Sequence, residues 1–401
     1  MDQFGTKKNC LMIGGKSVRD LALAVGRTPF YVYDSGVISK QVSRLRYSMP
    51  EEIHLHYAIK ANPMPAVVEH LANITDGLDV ASAGELSIAI ATGASPESIS
   101  FAGPGKSLAD LRSAITAGVI ISVESEGEMH RIAKLASDIG VQPKVAVRVN
   151  PDFELKTSGM KMGGGPKPFG VDAERVPGML STLSDLQVEF IGFHVFSGSQ
   201  NLRSAAIVEA QTKTFNLASQ LSEATKQPVR WLNIGGGLGI PYFPGDDHID
   251  LQHIADNLDR LITQARNSLP ETVFVMELGR YLVAEAGIYV CEVVDKKTSR
   301  GQTYLITNGG LHHHLAASGN FGQGIRRNYP VCIGNRMTAN EMETVSIVGP
   351  LCTPLDVLAD KVTLPKAEVG DLVVVFQSGA YGYTASPRDF LSHPHPCEII
   401  L

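Results

Sequence analysis

A few residues have types and spacings that could do chemistry. Lys60 closes the apolar run HYAIK and is followed by Asn62 and Pro63. An amine at a strand end that is desolvated gives up its proton readily and becomes nucleophilic; the ordinary alternative is a solvated loop lysine. Gly235, Gly236 and Gly237, with Gly239, follow the run VRWLNI. Backbone N–H groups bare of side chains can approach a phosphate, although the same glycines would serve a turn that needs positive φ. Glu277 and Arg280 stand together in ELGR, where the guanidinium could clamp that phosphate or simply pair with Glu277. His194 is the next-to-last residue of the run IGFHV and offers a flat ring. Asp79 and Glu85 flank a turn, and Glu85 reads as a first-turn helix residue.

The elements that must position these residues can be read from periodicity. Short strand-like runs occur at Ile53–Ile59, Gly77–Ala81, Ser98–Ala102, Val119–Val123, Lys144–Val149, Gln187–Val195, Val229–Ile234 and Val273–Glu277. Between them lie amphipathic segments such as Pro65–Leu71, Ala83–Ala91, Leu108–Ala117, Gly127–Ile139, Ala205–Ala224 and Leu251–Ser268. Strands and helices alternating eightfold over about 230 residues is what an α/β fold of the (β/α)8 TIM-barrel type requires; an open doubly wound sheet is the competing arrangement. After Gly287 the runs IYVCEVV, TYLIT, ETVSIV and LVVVF are separated by turn residues and predict a C-terminal β-rich domain. The division expected is an N-terminal segment, residues 1–30, packing with the β domain, a barrel over 31–285, and the β domain over 286–401. Thr157–Gly170 reads as one long loop after the fifth strand.

On this count Lys60 ends strand one, His194 strand six and Glu277 strand eight, with the glycine run after strand seven. All fall at the C-terminal face, where barrels of this kind do their chemistry. Jointly these residues point to pyridoxal 5′-phosphate. Lys60 would hold it as an internal aldimine, Gly235, Gly236, Gly237 and Arg280 would hold its phosphate, and His194 would stack on the ring. Glu277 would keep the pyridine nitrogen protonated, making the ring a sink for electrons released at Cα.

The residues also resemble a known family, the alanine-racemase-fold (fold type III) pyridoxal-phosphate decarboxylases of the diaminopimelate and ornithine/arginine group. The motifs are YAIKAN (57–62), DVASAGE (79–85), FHV (193–195) with GSQ (198–200), the run Gly235–Gly237, ELGR (277–280), Cys352 with Asp356, and GAY (379–381). The resemblance spans about residues 25 to 390. It implies a barrel followed by a β domain, and a head-to-tail homodimer with shared active sites. It also implies that Cys352 enters the neighbouring subunit's site to protonate the quinonoid carbon after carbon dioxide leaves. Lys60, Cys352 and His194 are then the catalytic set. Asp79, Ser197 and Gly279 join the cofactor contacts, and Tyr381 touches the phosphate.

Where diamino-acid decarboxylases place an acidic residue after the cysteine, this chain has Thr353 in GPLCTPLD. A neutral threonine supplies no charge for a distal ammonium. The segment TNGGLHHHLAASGN (307–320) likewise departs from the family's diaminopimelate-binding stretch. These runs, with FLSHP (390–394), look most like the exosortase-A-system-associated branch. That branch is similar to an enzyme that decarboxylates an acidic amino acid carried on an acyl carrier protein. The substrate is then an amino acid, free or carrier-bound, met by Thr353, Asp356 and Arg327; Arg326, Arg327 or Lys161 could receive a carboxylate or the carrier's phosphopantetheine. Diaminopimelate decarboxylation, racemization on the same fold and a silent regulatory homologue are the alternatives. Glu277 argues against a racemase, whose pyridine nitrogen faces an arginine, and the intact residue set argues against a silent homologue.

Composition narrows the classes further. The chain of 401 residues carries 35 Lys+Arg against 41 Asp+Glu, and no basic stripe follows a nucleic acid backbone. No uncharged run approaches the length that spans a bilayer, and the start lacks an obvious export signal. The five cysteines show no C-x-x-C spacing, which fits a reducing cytoplasm, and all but Cys352 read as small buried hydrophobes. His312, His313 and His314 invite a metal, yet consecutive residues on an extended strand face opposite ways, so no metal is expected. His393 and His395, set among prolines, read as structural.

Overall fold

The computed structural model describes residues 3–155, 159–243, 245–323 and 326–401. The chain divides into two compact units. One comprises residues 41–240 and 247–281; the other comprises residues 1–40, 241–246 and 282–401.

The first unit is a closed parallel barrel. Its strands are β1 (Ile53–Ala58), β2 (Gly77–Val80), β3 (Ile99–Phe101), β4 (Ile120–Val123), β5 (Lys144–Asn150), β6 (Glu189–Val195), β7 (Trp231–Gly236) and β8 (Val273–Leu278). Neighbours run parallel in this order, and pairing of β8 with β1 closes the ring, so the open sheet is excluded. Helix ends follow local chemistry. Ser82, Ser107 and Ser125 cap the helices Ala83–Ala91, Leu108–Ala117 and Glu126–Ile139 through their hydroxyls, and Gly118 and Gly140 end the latter two in the left-handed conformation. The helix Val176–Leu183 was not foreseen, because Pro177 and Gly178 break its pattern; proline is tolerated there since it sits in the first turn.

Inside the barrel, polarity changes abruptly along the strands. Ile120, Ala146, Ile191, Trp231 and Val275 form a buried apolar cluster. Two residues farther along four of these strands, hence on the same face, stand Ser122, Arg148, Asn233 and Glu277, all buried. On β6 a bulge between Phe190 and Gly192 resets the register, bringing His194 level with Arg148 and Asn233. Gly192 permits this: a Cβ there would lie 1.8 Å from the Trp231 carbonyl oxygen.

The second unit is β-rich. Gly287–Ser299 is its central strand and pairs with Gln302–Thr307, Leu372–Val375 and Phe30–Tyr33. Met342–Val348 and Val357–Pro365 extend one side, Val331–Ile333 pairs with Leu372–Val375, and Cys397–Ile400 runs parallel to Phe30–Tyr33. Its core gathers Leu11, Val18, Leu21, Phe30, Val32, Ile288, Val290, Val374 and Phe376. A boundary at residue 31 would cut through Phe30–Tyr33; the strand belongs whole to the β-rich sheet, and the division falls at Gln41.

Candidate active site

Lys60 lies on a single 3₁₀ turn, Ile59–Ala61, directly after β1. Gly279, just past β8, lets that turn approach: a Cβ there would sit 2.9 Å from Ala61 Cβ and 3.2 Å from the Ala58 oxygen. The amine Nζ is 3.2 Å from Glu277 Oε1 and 5.5 Å from the centre of the Phe196 ring. The Lys60 side chain is 47% exposed in this chain, and Glu277 supplies its counter-charge.

Glu277 is buried, and burial alone would raise its pKa. The Lys60 ammonium and the charges of His194 and Arg148 outweigh this and hold the carboxyl well below the usual carboxylate range. His194 places Nε2 3.4 Å from Glu277 Oε2 and Nδ1 3.2 Å from Ser122 Oγ. The barrel thus brings Lys60, His194 and Glu277 together. Asp79 is buried on β2; Ser100 Oγ donates to its Oδ1, His56 Nδ1 lies 3.5 Å from the same oxygen, and among the described residues Oδ2 has no hydrogen-bond partner.

The glycine run has the expected left-handed positions, Gly235 at φ 69° and Gly237 at φ 79°. A Cβ at Gly235, Gly236 or Gly237 would fall 2.8, 2.1 or 2.7 Å from the carbonyl oxygens of Val195, Glu277 and Gly198. The Gly235 N–H already donates to Asn233 Oδ1 at 2.8 Å, so that amide is committed to the turn. Ser197 and Gly236 line one crevice, and Arg280 opens the short helix Arg280–Val283 after β8.

The remaining expected residues belong to the β-rich unit. Cys352 is exposed, whereas burial pushes the Cys291 and Cys332 thiols up to about 12. Thr353 Oγ1 accepts the Leu355 N–H at 3.3 Å and serves its own turn. Asp356 is not a substrate ligand in this arrangement: it is 2% exposed and its oxygens accept the Leu311 and Leu351 N–H groups. Arg327 pairs with Asp246 at 3.4 Å and stacks 4.0 Å over Phe243, while Arg326 donates to the carbonyls of Ser318 and Val357. Tyr381 is half-buried at φ 53°, a left-handed conformation rare for a bulky residue. Thr157 and Ser158 and the side chain of Lys161 lie outside the described residues.

The histidine run is not extended. Gly310 O accepts the N–H groups of both His313 and His314, closing a turn in which the His312 and His313 rings come within 3.7 Å. Residues that the sequence reading passed over include Arg148, Ser122 and Phe196. Arg148 carried a signal, a charge inside the apolar run VAVRV; the other two carried none.

An amine beside a carboxylate held well below the usual carboxylate range and an imidazole, at the C-terminal mouth of a (β/α)8 barrel, is a donor set that can hold a carbonyl-bearing cofactor. The chain belongs to the pyridoxal-dependent decarboxylase family, whose pyridoxal-binding domain matches residues 35–284. It is 39% identical to an L-glutamyl-[BtrI acyl-carrier protein] decarboxylase of Niallia circulans, over 93% of this chain and 88% of that one. It is 31% identical to a diaminopimelate decarboxylase of Aquifex aeolicus, over 98% and 90%. The crystal structure of diaminopimelate decarboxylase from M. jannaschii superposes with a TM-score of 0.90 at 27% identity, over 100% of this chain and 92% of the other. The protein is a pyridoxal-phosphate-dependent amino-acid decarboxylase. The donor set fits that cofactor, since Lys60 offers an amine to its aldehyde and Glu277 is held anionic beside that amine. Among the described residues, no helix is long and apolar enough to cross a membrane.

Proposed function

We propose that the chain decarboxylates an α-amino acid whose far end carries no free ammonium, and that the substrate is an acidic amino acid held as a thioester on a carrier protein. The observation that carries this is Thr353: the position after Cys352 is neutral, and its hydroxyl is engaged by the Leu355 amide. A distal ammonium would find no anion there. Similarity to a relative named for a carrier-linked glutamyl substrate supports the same reading.

The cofactor, when bound, supplies the electron sink that lets Cα lose its carboxylate. Lys60 would hold it through Nζ, Arg280 with Gly236 and Gly237 would hold its phosphate, and Ser197, Asp79, Gly279 and Tyr381 would complete the contacts. Glu277, its carboxyl held well below the usual carboxylate range, would keep a proton on the ring nitrogen. His194, braced by Ser122, would support the ring and fix the Glu277 carboxylate. Cys352 of the partner subunit would deliver a proton to Cα, which needs an accessible thiol; among the described cysteines Cys352 is the exposed one.

The test is carbon dioxide release by the cofactor-loaded protein from glutamyl and aspartyl thioesters of a carrier protein, set beside free glutamate, lysine and diaminopimelate. Turnover of a thioester with the free acids silent is expected. Turnover of free diaminopimelate would overturn the reading of Thr353.

A further inference from the structure

Asp356 sits at the centre of a tie between two segments of the β-rich unit. Its Oδ1 accepts the Leu311 N–H at 2.6 Å, and its Oδ2 accepts the Leu351 N–H, the amide just before Cys352, at 2.8 Å. The turn between them is closed on itself: Thr353 N donates to Leu351 O at 2.8 Å, Asp356 N to Thr353 O at 3.2 Å, and Gly349 N to Asp356 O at 3.0 Å. Space is as restricted as the bonding, for a Cβ on Gly310 or Gly349 would lie 2.1 or 2.3 Å from the carboxylate. Among the described residues no lysine or arginine pairs with Asp356, so the backbone amides are its counterparts. Burial raises its pKa, against which those amides and His393 act.

A carboxylate that spends a buried charge on two backbone amides does so to fix the chain there, since charge-assisted hydrogen bonds are the stronger kind. The chain it fixes carries the exposed thiol. A proton donor misplaced by about 1 Å can lose on the order of 10²-fold in rate. We propose that Asp356 is the positioning residue for Cys352, holding the Gly349–Asp356 turn so that the thiol is presented in one place. This rests on the reading of Cys352 as the proton donor.

The variant Asp356→Asn keeps the volume but sets an NH2 group against one of the two amides. In the cofactor-loaded enzyme, kcat is expected to fall about 10–100-fold with KM within about twofold and with cofactor absorbance and melting temperature near wild type. In the same protein the rate of Cys352 alkylation by iodoacetamide, read by peptide mass spectrometry, is expected to shift several-fold. Unchanged kcat and unchanged alkylation would overturn the proposal, as would a joint loss of kcat, KM and cofactor binding with melting. A Cys352→Ala enzyme of wild-type kcat would instead sink the donor reading, while the alkylation rate still reports whether Asp356 sets the thiol. Should Asp356→Asn not fold, hydrogen exchange of the wild type decides: protected Leu311 and Leu351 amides support the tie, and fast exchange at both overturns it.

Discussion

Glu277 concentrates the electrostatics of the barrel mouth. It is buried, yet stays charged because an ammonium, an imidazole and a guanidinium act on it. Replacing it with glutamine keeps the shape and removes the charge. We expect kcat to fall about 10²–10³-fold, the range for losing one preorganised electrostatic partner, while the Lys60–cofactor absorbance persists; a loss under fivefold would show that the charge is dispensable. The histidine turn makes a separate prediction. Burial, with the neighbouring His393 and, for His313, His312 and His395, depresses His312 to about 4 and His313 to about 3; burial alone takes His314 to about 3. Unfolded histidines bind protons near pH 6.5, so the unfolded chain takes up more protons, and stability is full above about pH 6.5 and lost as pH falls toward 4. Among the described residues, neither ring nitrogen of His312 has a hydrogen-bond partner. His312→Phe should therefore flatten the acid fall of melting temperature between pH 6.5 and 4.5; a variant with an equally steep limb contradicts this.

The loops after β3, β4 and β5 are joined by buried charges. Lys106 Nζ donates to Glu128 Oε1 at 2.8 Å and to Gly103 O at 2.7 Å, with side chains 1% and 3% exposed. Arg148 Nη1 reaches Glu124 Oε1 at 2.7 Å, and Glu124 also accepts the N–H groups of Gly103 and Gly170. Removing one partner strands the other charge without water. Glu128→Ala should cost about 3–5 kcal/mol of stability, measured by urea unfolding, whereas Lys106→Met with Glu128→Leu should recover much of it. A single variant within about 1 kcal/mol of wild type would refute the argument. At this scale the sequence was most legible: the eight barrel strands lie within two residues of their expected bounds, because each is a short β-branched run fenced by turn residues. Legibility failed where position depends on partners distant in sequence. Nothing local in Thr353 or Asp356 tells that their oxygens are consumed by amides, nor in Ile191 that a bulge turns His194 inward. Val357–Pro365 pairs as a strand although Asp360 and Lys361 dilute its pattern.

For the whole molecule, the proposed sharing of active sites has a quantitative consequence. Lys60→Ala and Cys352→Ala chains are each expected to be nearly inactive. In a mixture exchanging at random, half the dimers are hybrids, each holding one intact site, so about a quarter of wild-type activity should return if the assembly is a two-fold dimer. No recovery after verified exchange would place both residues in one chain's site.

The strand Phe30–Tyr33 lies between Gly287–Ser299 and Cys397–Ile400. During synthesis it emerges before any of the barrel, yet both of its neighbours follow residue 281 and are made only after the barrel. Residues 41–281 can close their ring while that strand still waits with bare edges, an aggregation hazard for the nascent chain. Expression at lower temperature, with slower aggregation during that wait, should raise soluble yield more than any change to the barrel does.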